Sequence, residues 1–360
     1  MSLIRVLIVD DSAFMRRVIR QMLEDSREVE VVGAARDGAE GVEMALQLKP
    51  DVITMDIEMP RLNGLEATER IMAQMPTPII MVSSLTVEGA KATLSALDKG
   101  AADFISKNLT TSALDLMKIQ DELVGKIKAV AKRKRYFSTL NAAKKEAHAG
   151  APSRVGATVQ PPALKKSFAT QKMAFVAIGA STGGPRALQE VLSKLPGGLT
   201  ASFLVAVHMP RAFTGAFAER LNDICHLTVK EAQNGEKVRP GQILLCPGGS
   251  QTRILRRGLM DFYVHIDDEP KGALYKPSVD VCMTSVAESY PGRSMGVILT
   301  GMGHDGRDGM RLIKEKGGKT LAQNEETCTV YGMPKAVVDA GLADKIAPLE
   351  LIAAEIVNMI

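Results

Sequence analysis

Short apolar runs alternating with segments of helical period fill most of this chain, and that alternation leaves few folds open. In the first third, residues 5–9, 29–34, 52–55, 79–82 and 103–105 are apolar runs of strand length. Between them Phe14, Val18 and Met22, then Leu65, Thr68, Ile71, Met72 and Met75, recur at three- and four-residue spacing, which gives a helix one apolar face. Five βα units predict an open parallel sheet with helices on both faces. In such sheets ligands sit beyond the carboxyl ends of the strands. The pattern resumes with runs at 174–178, 202–207, 241–246 and 296–299, and with a helical face of Leu188, Val191, Leu192 and Leu195 that has Pro185 near its start. Residues 253–255 and 261–266 flank Arg256, Arg257, Gly258 and Leu259 as a hairpin, and residues 348–360 read as a closing helix. The predicted fold class is α/β: a five-stranded parallel sheet over residues 1–123, then a larger, mainly parallel, doubly wound sheet with an antiparallel hairpin over residues 173–360.

Between the two lies a basic segment. Residues 123–172 hold twelve Lys and Arg against one acid, Glu146, so a segment of +11 inside a chain of +4 leaves −7 elsewhere. We read residues 124–172 as a linker, partly helical and then, from about residue 147, rich in Ala, Pro, Gly, Ser and Thr as a flexible tether is. At 360 residues, 46 % apolar and 24 % charged, the chain has the size and composition of two soluble domains. No apolar stretch approaches the ~18 residues that span a bilayer, so membrane insertion is not expected. Asp10 and Asp11 interrupt the N-terminus before a signal core could form, and a cytoplasmic setting is expected. Cys225, Cys246, Cys282 and Cys328 are too scattered for a zinc site or a disulfide framework and read as small buried residues. With no Trp and 4 % aromatics the chain lacks platforms for stacking bases.

The polar residues of the first unit gather where strands end. Asp10 and Asp11 follow the first run, Asp56 the third, Ser83 and Ser84 the fourth, and Lys107 the fifth. Three converging carboxylates repel one another unless a cation is present, and hard oxygens of this kind suit Mg²⁺. A metal there attracts a phosphate, with Lys107 and Ser83 placed to meet its other oxygens and Asp56 placed to become an aspartyl phosphate. The segments VLIVDDSAFMRR, DVITMDIEMPRLNGLEA, PIIMVSSLT and GAADFISK resemble the receiver domain of two-component response regulators. The resemblance implies a histidine kinase as phosphodonor. Receivers usually carry proline after the lysine; here the residue is Asn108.

In the second unit, FVAIGASTGGP sets Ser181 inside G-x-S-x-G between a strand and a helix. That spacing suits both a nucleophile elbow and a glycine-rich phosphate cradle. The other strand ends favour the first: His208 follows the next run and Asp305 a later one, and a serine nucleophile needs a base that a carboxylate orients. His304 is a rival base, but as the neighbour of Asp305 it projects away from that carboxylate. The order Ser, His, Asp differs from that of α/β-hydrolases.

Segments AIGASTGGP, VAVHMP, LLCPGG, KPSVDVC, VILTGMGHDG and LAQNEETCTVYGMP resemble the catalytic domain of chemotaxis protein-glutamate methylesterases (CheB). The resemblance implies a phosphorylation-regulated hydrolase of glutamate γ-methyl esters on chemoreceptor helices, with deamidation of receptor glutamines as a second reaction. It also implies Ser181, His208 and Asp305 as the triad. Backbone amides near Thr182 and in the glycine-rich loop around Met302 are the candidate oxyanion donors, and the ester chemistry itself needs no metal. Residues 173–360 show no helix-turn-helix pattern, so no DNA partner is expected. A transcriptional regulator would need a DNA-reading output domain, and an adaptor would not need the three residues. Two modes of control stay open: the receiver covers the Ser181 edge until phosphorylated, or phosphorylation acts positively by docking it.

Overall fold

The computed structural model describes residues 3–84, 86–107, 116–117, 119–132, 173–258 and 261–360; Asn108 and residues 133–172 of the expected linker lie outside them. The N-terminal unit runs β1 (Ile4–Val9), α1 (Ala13–Asp25), β2 (Val29–Ala35), α2 (Gly38–Leu48), β3 (Val52–Asp56), α3 (Gly64–Gln74), β4 (Ile79–Ser83), α4 (Val87–Asp98), β5 (Asp103–Ser106) and α5 (residues 119–132). Its sheet is parallel, in the order β2-β1-β3-β4-β5. Helix α5 extends the unit past residue 123. Its Leu123, Ile127, Val130 and Ala131 are buried against Val6, Ile8, Ile19 and Leu23, a helical i, i+4, i+7, i+8 stripe. The basic residues of the segment hid that stripe in the sequence, and Lys126 is itself buried, paired with Asp103 (3.0 Å) and Glu122 (3.1 Å).

The C-terminal unit runs β6 (Phe175–Ala180), α6 (Gly184–Leu192), β7 (Ser202–Val207), α7 (Arg211–Ile224), β8 (Thr228–Glu231), β9 (Gln242–Leu245), β10 (Gln251–Arg257), β11 (Asp261–Asp267), α8 (Val279–Ser289), β12 (Ser294–Ile298), α9 (Arg307–Glu315), β13 (Lys319–Gln323), α10 (Met333–Asp339), β14 (Lys345–Ala347) and α11 (Leu349–Met359). Seven parallel strands lie in the order β14-β13-β12-β6-β7-β9-β8, and β10 pairs with β11 as an antiparallel ribbon. Strands β8, β13 and β14 carry too few apolar residues to show as runs in the sequence. Arg256 and Arg257, expected in the hairpin turn, pair as strand residues with Phe262 and Asp261; both are exposed, and an exposed ribbon accepts charge. The chain winds outward from β6 through β7 and returns to its other side at β12, so the order in which strands are added reverses between β6 and β12. A crevice opens at the carboxyl ends of strands at such a reversal.

The two units pack together. Helix α4 lies along α7, where Asp98 pairs with Arg220 and Lys91 with Glu219 at 3.9 Å. Phe104 of β5 stacks on Phe213 of α7, ring centroids 4.5 Å apart.

One crossing positions the crevice. Asp305, just before α9, accepts from Val279 N (2.7 Å), Asp280 N (3.0 Å) and the Ser278 hydroxyl (2.9 Å) at the start of α8. In return the Asp280 carboxylate accepts from Gly309 N in α9 at 2.7 Å. The helices meet so closely that a Cβ on Gly309 would lie 2.5 Å from Met283 Cβ. Burial first, then the nearby Asp305 and Asp308 charges, pushes the Asp280 carboxyl up to about 6 against the opposing Gly309 N–H.

A carboxyl raised above its unfolded value of 3.8 binds its proton more tightly in the native state. Its contribution to stability therefore falls as pH rises from about 4 to 6 and stays low above that. Asp280→Asn keeps an acceptor for Gly309 N and cannot ionise as pH rises. The melting temperature of the variant minus that of the parent should rise across this interval and level off above it, as calorimetry at stepped pH will show. A difference that is flat or falls with pH would mean that the ionised carboxylate is stabilising.

Candidate active site and acidic crevice

Ser181 follows β6 on a tight turn. Its N–H donates to Thr300 O at 3.0 Å, and its carbonyl accepts from Gly184 N at 2.6 Å. Gly183 caps α6 at φ +73°, a left-handed conformation that glycine adopts without strain. Behind the turn the β12 loop closes in: a Cβ on Gly301 would fall 2.9 Å from Ser181 Cβ. His208 follows β7, its N–H donating to Ala180 O at 3.2 Å, so the register of neighbouring strands sets it beside the serine.

The imidazole bridges the other two residues. Nδ1 lies 3.1 Å from Ser181 Oγ and Nε2 lies 2.8 Å from Asp305 Oδ2. Burial would raise the Asp305 carboxyl, but His208 and the N–H groups of Asp280 and Val279 hold it down at about 2. An ionised Asp305 accepts from Nε2–H, which leaves the Nδ1 lone pair facing the serine hydroxyl. The ring is thus used the other way round from the serine-protease template, where Nε2 meets the serine. His304, the rival base, is exposed on the turn while Asp305 points inward. Thr182 is buried and Met302 half-buried at the same edge. The amides of Ser181, Gly301 and Gly332 are spent on Thr300 O, Val330 O and Gly301 O, so they are not free to hold an oxyanion. The side chain of Met302 packs under α5, where a Cβ on Gly125 would sit 3.1 Å from its Cε. A cavity of about 810 Å³ opens beside this contact, lined by Val124 and Lys128 of α5 and by Met302, Thr329 and Tyr331.

Two residues that the sequence reading passed over join the site. Tyr275 stacks on His208, ring centroids 4.1 Å apart and planes within 9°. Buried Gln251, at the start of β10, holds Tyr275 O and Ser278 N, each at 2.8 Å. A lone tyrosine on a loop and a lone glutamine at a strand end have no periodicity to betray them. The cysteines stay outside this chemistry. Burial pushes the Cys225 thiol up to about 11, and contact with Cys246, then burial, raises Cys282.

At the first sheet the carboxylate oxygens of Asp10, Asp11 and Asp56 lie within 4.8 Å of one another. Lys107 Nζ reaches Asp56 Oδ2 at 2.6 Å and Asp10 Oδ2 at 3.1 Å. Burial and the Asp10 charge raise the Asp56 carboxyl in spite of Lys107, and the two carboxylates outweigh burial to raise Lys107. Buried Asp10 Oδ2 lacks a hydrogen bond of good geometry, and an all-oxygen set with such an atom suits a hard divalent cation. Ser83 is turned toward α4, its hydroxyl accepting from Thr93 Oγ1 at 2.8 Å and lying 3.3 Å from Gly89 O.

The CheB methylesterase family model matches residues 176–356, and that of the response regulator receiver domain matches residues 6–118. The chain is 49 % identical to a protein-glutamate methylesterase/protein-glutamine glutaminase of Nitratidesulfovibrio vulgaris over 99 % of both chains, and 43 % identical to one of Methanococcus maripaludis over 98 % of both. The crystal structure of the Thermotoga maritima CheB methylesterase catalytic domain covers 53 % of this chain and 100 % of its own at 37 % identity, with a TM-score of 0.51. With relatives matched end to end and both sheets accounted for, the chain belongs to the CheB methylesterase family, an ester hydrolase behind a receiver domain.

Proposed function

We propose that this chain removes methyl groups from glutamate γ-esters on the cytoplasmic helices of chemoreceptors, under control of phosphorylation at Asp56. The observation that carries the reading is His208 held between Ser181 and Asp305. Ser181 Oγ attacks the ester carbonyl while His208 Nδ1 takes its proton. Asp305 keeps the second ring proton on Nε2 and stabilises the imidazolium. His208 then protonates the departing methoxide, and methanol leaves an acyl-enzyme. Water, deprotonated by His208, attacks that ester and frees the glutamate and Ser181. A glutamine side chain passes through the same acyl-enzyme with ammonia as the leaving group, so deamidation needs no further residue. The backbone amides of Thr182 and Met302 are the oxyanion donors in this scheme, a role worth ~3–4 kcal/mol per donor elsewhere.

In the receiver, Asp10, Asp11 and Asp56 would hold Mg²⁺, which supplies charge neutralisation for phosphoryl transfer from a histidine kinase. Asp56 is the phosphoacceptor, Lys107 neutralises a phosphoryl oxygen, and Ser83 turns from Gly89 toward the phosphoryl group. The packing of Gly125 against Met302 favours control by obstruction, because the receiver then rests on a loop of the esterase site. No helix among the described residues is long and apolar enough to cross a membrane.

Methyl-labelled receptor, with released methanol scored, is the direct test. Ser181→Ala and His208→Ala should each lower turnover by about 10⁵–10⁶-fold, as in other triads, with the melting temperature unchanged for Ser181→Ala and lower for His208→Ala, which takes a donor from buried Asp305. Full turnover in a folded Ser181→Ala would remove the serine from the mechanism. Asp305→Asn should lose activity and also melt lower, since Asn cannot accept all four hydrogen bonds that reach the carboxylate.

Deleting residues 1–150 should raise basal methanol release, by about 5–100-fold if the coupling is of ordinary size. A phosphodonor with Mg²⁺ should activate the full chain but not Asp56→Asn. A truncated enzyme slower than the resting full chain would exclude obstruction and leave phosphorylation as a positive signal.

A further inference from the structure

We propose that Tyr275 is a positioning residue for the base: its ring, lying flat on His208, confines the imidazole to the plane in which both nitrogens meet their partners and steadies the charge that the ring gains during the reaction. This rests on the triad reading above. Two hydrogen bonds in the ring plane, to Ser181 and Asp305, fix a line through His208 but resist tilting about that line only weakly. A second ring at 4.1 Å and 9° blocks the tilt on one face. It also offers an electron-rich surface to an imidazolium, and such contacts strengthen when the charge appears. The interaction is therefore worth more in the transition state than in the resting enzyme, which is the condition for it to act on kcat.

Tyr275 is itself built in. Its carbonyl accepts from Gln251 Nε2 at 2.8 Å, Gln251 Oε1 accepts from Ser278 N at 2.8 Å, and Ser278 donates its hydroxyl to Asp305 at 2.9 Å. One short segment thus holds the base by its face and the acid by its oxygens, and a single buried amide ties the segment together. The Tyr275 hydroxyl ends beside Gly303, where an added Cβ would come within 3.3 Å of it, so the tip of the side chain reaches the loop that carries Met302. Burial, then the Asp305 and Glu122 charges, raises the phenol. It stays protonated at neutral pH, so the hydroxyl brings no charge to the base, and what meets the imidazole is the ring face.

The test uses the full-length enzyme and methyl-labelled receptor fragment, with Ser181→Ala alongside. Tyr275→Leu should lower kcat by about 5–30-fold, the scale of a desolvated cation–π contact, with KM within about twofold. Tyr275→Phe, which keeps the ring, should restore kcat to within about threefold. The low-field His208 ring N–H signal in proton NMR should exchange faster in Tyr275→Leu than in the parent or Tyr275→Phe. If Tyr275→Leu melts early, Tyr275→Met takes its place in the same comparison. A kcat within twofold of the parent, a loss confined to KM, or a Phe variant as poor as Leu would each overturn the proposal. An active Ser181→Ala would instead overturn the triad on which it rests.

Discussion

A carboxylate out of water is tolerated only where donors replace its hydration, and the C-terminal half of this protein is arranged around one such group. Asp305 receives three hydrogen bonds from the first residues of α8 and one from His208. Because those donors belong to a helix N-terminus, the acid is complete only when α8 and α9 cross as they do, and the Asp280 carboxylate returns a cap to α9. The place of Asp305 beside His208 follows from helix packing. The orientation of His208 follows in turn, since an acid held this rigidly fixes which ring nitrogen carries the proton.

Two parallel sheets in one chain reach different chemistry by the same route. Parallel strands end together, and the loops beyond them are free to carry polar residues that the buried strands cannot. At the first sheet those residues are three acids and a lysine, a set whose mutual repulsion suits it to a cation and a phosphoryl group. At the second they are one serine, one histidine and one acid, whose hydrogen bonds satisfy one another. The first site is electrostatically incomplete by itself, while the second is complete.

The contact between the units joins the two sites physically. Phe104, three residues before Lys107, stacks on Phe213 of α7, and its carbonyl accepts from the Lys126 ammonium of α5 at 2.6 Å. Helix α5 then reaches Met302. A rearrangement around Lys107 therefore borders on elements that rest on the esterase half, without a long path to cross.

The sequence by itself determined the α/β class, the parallel sheet of the first unit and the residues at strand ends. A strand buried on both faces must be a continuous apolar run, and the polar residue that stops it is therefore visible. Ser181, His208, Asp305, Asp10, Asp56 and Lys107 were legible in this way. Strands β8, β13 and β14 were not, because short or polar strands need neighbours rather than composition to form. A helical stretch past residue 123 was expected, but its packing on the first sheet was hidden by its lysines, one of which is buried only because Asp103 and Glu122 surround it. Tertiary structure alone decided which nitrogen of His208 faces the serine, that Tyr275 covers the ring and that Gln251 ties its loop. Each depends on contacts between residues far apart in the chain, and such contacts leave no period or spacing in the order of amino acids.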